Sequence, residues 1–119
     1  MNKEQIEFKK YKLKQSIHIN DRKEGIVKVY SNNTYEHELV KFQITYKLKK
    51  QGYDVYSECR IKGGRADLIV ISPEGRGYAI EILKSEPESF YERKLEEYDL
   101  EFEIIKVNCK NFKISEFFL

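Results

Sequence analysis

Residues 12–20, KLKQSIHIN, alternate polar and apolar at Leu13, Ile17 and Ile19, and after DRKEG the run IVKVY resumes with β-branched residues. This pattern predicts a β-hairpin with one covered face as an extension over residues 1–33. SNNT then supplies turn and N-cap residues, and Glu36 and Glu38 fall in the first turn of a helix, where its dipole favours acids. That helix is expected from about Tyr35 to Lys50, with Leu39, Phe42 and Tyr46 on one side, Val40, Ile44 and Leu48 beside them, and Gly52 just past its end.

Three strands follow: YDVYSEC, RADLIVIS and GYAIEIL, the last two joined by the turn PEGRG. RADLIVIS and GYAIEIL are nearly continuous in apolar residues, as expected of strands covered on both faces. SEPESFYERKLEEY reads as a second helix, with Ser85 as N-cap and Pro87 in its first turn. EFEIIKVN gives a fourth strand, and the tail KISEFFL is a short apolar segment. The order hairpin, α, β, β, β, α, β predicts an α/β sandwich with a mixed four-stranded sheet flanked by helices. At 119 residues the chain is expected to form one domain.

Composition narrows the classes. LIVI is the longest unbroken apolar run, far short of the roughly 20 residues of a membrane helix, and MNKEQIEFKKYK lacks the apolar stretch of a signal peptide. The expectation is a cytoplasmic protein with no membrane partner. Cys59 and Cys109 are too few and too far apart for a disulfide framework or a zinc site of usual spacing, and are expected as reduced thiols. The net charge is only +2, but lysines crowd residues 3–14 and 41–50 while acids gather in 86–103. Such polarity suits a phosphate-facing surface, or simply a solvated Lys-rich one.

The chemistry centres on Asp67 in RADLIVI and Glu81 in YAIEIL. A carboxylate within a Val/Ile/Leu strand is unfavourable to bury unless it is paired, hydrogen-bonded or metal-bound, and two on neighbouring strands point to a divalent cation. His37 and Lys41, four apart, share a helix face and read either as a phosphate-contacting pair or as an exposed polar stripe. Arg60, Lys62 and Arg65 flank Gly63 and Gly64 in a basic loop just before Asp67, placed to grip a nucleic-acid backbone or to be solvated.

Over residues 34–108 the chain resembles the PD-(D/E)XK nuclease superfamily, with its restriction-endonuclease-like fold. The matching positions are Glu36 in YEHELVKF, Asp67 in GRADLIV and Glu81 in AIEILKS. YEHELVKF and AIEILKSE are similar to the archaeal Holliday-junction resolvases. EHELVKFQI, SECRIKGGRADL and IEILKSEPESFYERKLEEY look more like the CoiA competence group, which adds His37, Lys41, Glu58 and Arg93. The resemblance implies an endonuclease that hydrolyses DNA phosphodiesters with Mg²⁺ or Mn²⁺. Asp67 and Glu81 would be metal ligands, Glu36 an auxiliary acid, and a homodimer would be the working form.

One position departs from the pattern. Two residues after Glu81 stands Leu83, where the family has Lys, or Gln in the CoiA-like branch. Lys84, next door, should point away from Glu81 on a regular strand. Three arrangements are open: a β-bulge that turns Lys84 into the site, Lys41 reaching in from the helix, or a site that binds metal and lacks cleavage. Phe112, Phe117, Phe118 and Leu119 would form an exposed apolar patch unless they dock on the domain or on a second copy.

Overall fold

The computed structural model describes residues 1–84 and 101–119. The expected second helix, from Ser85 through Arg93 to Tyr98, lies outside the described residues. The first element is a helix, α1 (Lys3–Gln15), and not a strand. Asn2 caps it in a reciprocal capping box with Gln5, Glu4 sits in the first turn, and Lys12 and Lys14 sit in the last. Leu13 and Ile17, read above as one face of a strand, are four apart, which is equally a helical spacing. Good helix formers and a strong cap favour the helix over the hairpin.

The other half of the expected hairpin is also absent as a ladder. Residues 26–30 run as an extended strap bound through side chains: Lys28 N–H donates to Ser57 Oγ at 2.8 Å, and Ser57 Oγ donates to the Ile26 carbonyl at 2.7 Å. Ile17 and Ile61 form an isolated antiparallel bridge.

Helix α2 (Tyr35–Lys50) matches the sequence expectation, with Thr34 as N-cap and Gly52 beyond its end at a φ of 85°, a conformation glycine adopts without strain. The sheet runs β1 (Asp54–Ile61), β2 (Gly64–Ile71), β3 (Gly77–Leu83) and β4 (Glu103–Asn108) in that spatial order. The first two pairings are antiparallel and the last is parallel, so the sheet is mixed, as the strand pattern predicted. One face carries Tyr56, Ile69, Ile71 and Ala79 beneath Leu13, Ile17 and Phe102; the other carries Val55, Leu68, Val70, Ile80 and Ile82 beneath Val40, Ile44 and Leu48 of α2. A Cβ added to Gly77 would lie 2.8 Å from the Phe102 ring, so the close approach there requires glycine. Among the described residues no helix is long and apolar enough to cross a membrane.

Alternation along β1 and β2 breaks at one place. Tyr56 and Cys59 share a face although they are an odd number of residues apart, and so do Ala66 and Ile69. The phase changes at Glu58, which has a φ of 51°, and opposite it at Asp67; both are missing from an otherwise continuous register. Because each strand slips by one, the hydrogen-bonding register is the same on either side of the break.

The N-terminal region is anchored by Asp21, which is buried and receives the Arg60 backbone N–H and Nε at 2.9 Å each. The Arg60 hydrogen bond outweighs burial and holds the Asp21 carboxyl well below the usual carboxylate range. A depressed carboxylate contributes stability above its unfolded pKa, about 3.9, and that contribution is lost as the pH falls below it. Asp21→Asn should therefore lower the urea-unfolding free energy by about 1–3 kcal/mol at neutral pH, and by progressively less as the pH is lowered through 4. Burial pushes the Cys59 thiol up to about 12, while Cys109 is only half-buried. A thiol-specific reagent at mildly alkaline pH should therefore label one cysteine in the native protein, Cys109, and both in urea.

Candidate functional site

The polar residues of α2 define the site. The helix turns His37, Lys41 and Thr45 inward beside Val40, Ile44 and Leu48, and leaves Leu39, Phe42 and Tyr46 in solvent. Thr45 satisfies its hydroxyl on the Lys41 carbonyl at 2.8 Å. Lys41 has no exposed surface. Its ammonium donates to the Lys28 carbonyl of the strap at 2.7 Å and to Glu38 Oε2 at 3.0 Å, and lies 3.0 Å from Glu58 Oε2. That last contact is an ion pair without hydrogen-bond alignment, so the buried Glu58 oxygen has a charge partner but no donor aimed at it.

Glu38 gathers four donors: Lys41, the Asn33 amide at 2.9 Å, the Tyr30 N–H at 3.2 Å, and His37 Nδ1 at 3.0 Å. Burial raises its pKa, but these partners outweigh burial and leave it lowered. On the far side of the imidazole, His37 Nε2 lies 3.5 Å from Asp67 Oδ2. Burial opposes the charged form of His37, the two acids overcome it, and the net pKa is raised.

Asp67 sits where β2 and β3 part. Their ladder ends at Leu68 and Ile80, and one step further the Asp67 carboxylate takes the Ile82 N–H at 2.8 Å. Glu81 is 2% exposed. On β3, Ile80 and Ile82 face α2 while Ala79 faces the α1 side, so alternation directs Glu81 toward the α1 face, where Lys106 of β4 is its register partner. Lys84, just past β3, has its ammonium on Asn33 Oδ1 at 2.8 Å and close enough to His37 to oppose its protonation. The strand geometry thus sends Lys84 away from Glu81, as expected without a bulge in β3, and places it among the α2 residues.

The remaining candidates divide. Glu36 is exposed, with no contact to Asp67 or Glu81; its neighbours His37 and Glu38 take the inward positions. Arg60 is engaged by Asp21 and serves the fold. Lys62 is exposed in the β1–β2 turn. Arg65 lies on β2 with its side chain half in solvent, its Nε 3.7 Å from Glu58 Oε1, a hydrogen bond to the Tyr30 hydroxyl, and its guanidinium 4.7 Å over the Tyr30 ring. Sequence reading missed Tyr30, Asn33 and Glu38 as members of this network. Glu38 was placed in the first helical turn, but only the fold brings the strap against it.

The donor set suits a hard ion in kind, since it holds only carboxylates and one imidazole. Its placement gives no preformed Mg²⁺ site among the described residues: no group of three His, Cys, Asp or Glu side chains converges there, Asp67 lies against His37, and alternation along β3 directs Glu81 to the α1 face.

No protein-family model, curated protein or solved structure matches the chain.

Removing one partner from a buried ion pair leaves an uncompensated charge. Lys41→Met should thus destabilise the fold by about 3–5 kcal/mol, and adding Glu58→Gln should recover a measurable part of that loss. A double-mutant cycle in urea, which isolates the coupling, checks this.

Proposed function

We propose that this chain is a nuclease-fold DNA-binding module that holds the phosphate backbone at the end of its sheet where β2 and β3 separate. The observation carrying this reading is the set of cationic groups in the α2 network: His37 lies 3.5 Å from Asp67, Lys84 is close enough to His37 to act on its charge, and Arg65 lies 3.7 Å from Glu58. Exposed Lys62 and half-exposed Arg65 extend that charge onto the β1–β2 turn. Phosphate contacts of this kind position a duplex without reading its bases. Leu83 at the position of the family lysine, and the full engagement of Lys41 by Glu38, Glu58 and the strap, both favour binding without turnover.

Metal-assisted phosphodiester hydrolysis is the second reading. Its specific support is Glu58 Oε2, a buried carboxylate oxygen with no aligned donor, on the strand next to Asp67. In this reading DNA would have to bring Asp67 and Glu81 together around Mg²⁺ or Mn²⁺. The likeness of GRADLIV and AIEILKS to the nuclease motifs supports both readings equally.

Binding measured by fluorescence anisotropy on plasmid-derived duplex, four-way junction and single-stranded DNA distinguishes them. The binding reading expects affinity without added metal that falls steeply with salt. Lys62→Ala and Arg65→Ala should each weaken it and flatten the log–log salt slope by about one. Asp67→Asn should leave affinity equal or tighter, because it removes a negative charge from the phosphate path. Cleavage of any of these DNAs that requires Mg²⁺ or Mn²⁺ and is abolished by Asp67→Asn and Glu81→Gln would replace binding by hydrolysis. Absence of DNA affinity at low salt would end both readings.

A further inference from the structure

The polar residues that α2 turns inward leave an apolar stripe on its outer surface, independent of any reading of the site. Tyr35 is 75% exposed, Leu39 38%, Phe42 53% and Tyr46 57%. Their spacings of four, three and four residues along the sequence are those of a heptad seam, the pattern by which one helix packs along another. Phe42 and Tyr46 stand with ring centroids 6.1 Å apart, and the exposed Phe118 ring lies under the ammonium of Lys47 of the same helix at 4.3 Å. At the end of this face formed by Phe42 and Tyr46, the C-terminal segment borders it through Ile114.

We propose that this face pairs with the same face of a second copy of the chain, the two α2 helices running antiparallel about a two-fold axis beside Phe42 and Gln43. The charges along the stripe select this orientation. Glu36 lies exposed in the first turn and has no ion-pair partner among the described residues, while Lys50 lies exposed in the last turn with its ammonium over the Tyr46 ring. They are fourteen residues apart, about 21 Å along a helix rising 1.5 Å per residue, with Gln43 at their midpoint. Antiparallel pairing centred there sets Glu36 of each copy level with Lys50 of the other, and Leu39 within one residue of the level of Tyr46. Each helix also meets its partner's dipole with the opposite end. A parallel pair would instead place Glu36 on Glu36 and Lys50 on Lys50. A two-fold axis repeats every contact, so one patch serves both copies and the assembly closes at two.

One helix face covers less than the roughly 800 Å² per partner of a standard interface, so the pair should form in a concentration-dependent way. Sedimentation velocity over low to high micromolar protein should show a monomer shifting to a dimer and no larger species. Phe42→Asp should hold the chain monomeric. Glu36→Lys or Lys50→Glu alone should weaken association about tenfold, because the two-fold doubles each repulsion, and the double reversal should restore it. Far-ultraviolet circular dichroism matching the parent establishes that the variants, all at exposed positions, remain folded.

A parent chain that stays monomeric throughout would overturn the proposal. So would a dimer that survives Phe42→Asp, or a double reversal no better than the single ones. A monomer whose Phe42→Asp variant loses DNA affinity would assign the face to nucleic acid and overturn the pairing as well.

Discussion

A lysine ammonium with no access to water must be neutralised and hydrogen-bonded in place, and much of this molecule is arranged around that requirement at Lys41. The strap supplies a carbonyl, the helix supplies Glu38, and β1 supplies Glu58. To reach Lys41, Glu58 sits in the left-handed backbone region, which a glutamate adopts only when its surroundings hold it there. The strand phase changes at that residue, and the partner strand changes phase at Asp67. The position of the candidate site therefore follows from how one buried cation is satisfied.

The same requirement explains the orientation of α2. Hydrophobic periodicity alone admits two neighbouring apolar faces on this helix, one through Leu39, Phe42 and Tyr46 and the other through Val40, Ile44 and Leu48. The fold buries the second, together with His37, Lys41 and Thr45, because Glu58 and Asp67 of the sheet and the Lys28 carbonyl of the strap lie on that side. Polar residues are held inside by their partners and aromatic ones are left outside. A helix that keeps charge in and rings out is organised by its network as much as by its core.

The regular part of the fold was legible in the sequence. Continuous Val/Ile/Leu runs marked β2 and β3, the Thr34 cap and Gly52 bracketed α2, and EIIKVN marked β4. The N-terminus misled because Leu13, Ile17 and Ile19 fit a strand only if one alternate position is skipped, while the capping box at Asn2 and Gln5 went unweighed. Asp67 stood out as a strand carboxylate, yet its partner His37 is thirty residues distant and comes into contact only through packing. Glu36 read as the inward acid because motif position was taken for direction; a helix advances about 100° per residue, so one step exchanges solvent for the interior.

The matched slip of β1 and β2 carries a consequence for how this sheet can vary. Hydrogen bonds and face assignment are normally locked together, but here two offsetting shifts keep the bonds while exchanging the faces of everything toward the β1–β2 turn. Deleting Glu58 alone would bring Tyr56 and Cys59 into ordinary alternation and keep Cys59 and Ile61 on their layer, but it would put the rest of β1 one residue out of step with β2, where Asp67 still displaces the partner strand. The kink is therefore removed without loss only as a matched pair of deletions, one on each strand, because a single deletion leaves the two strands mispaired all the way to their turn.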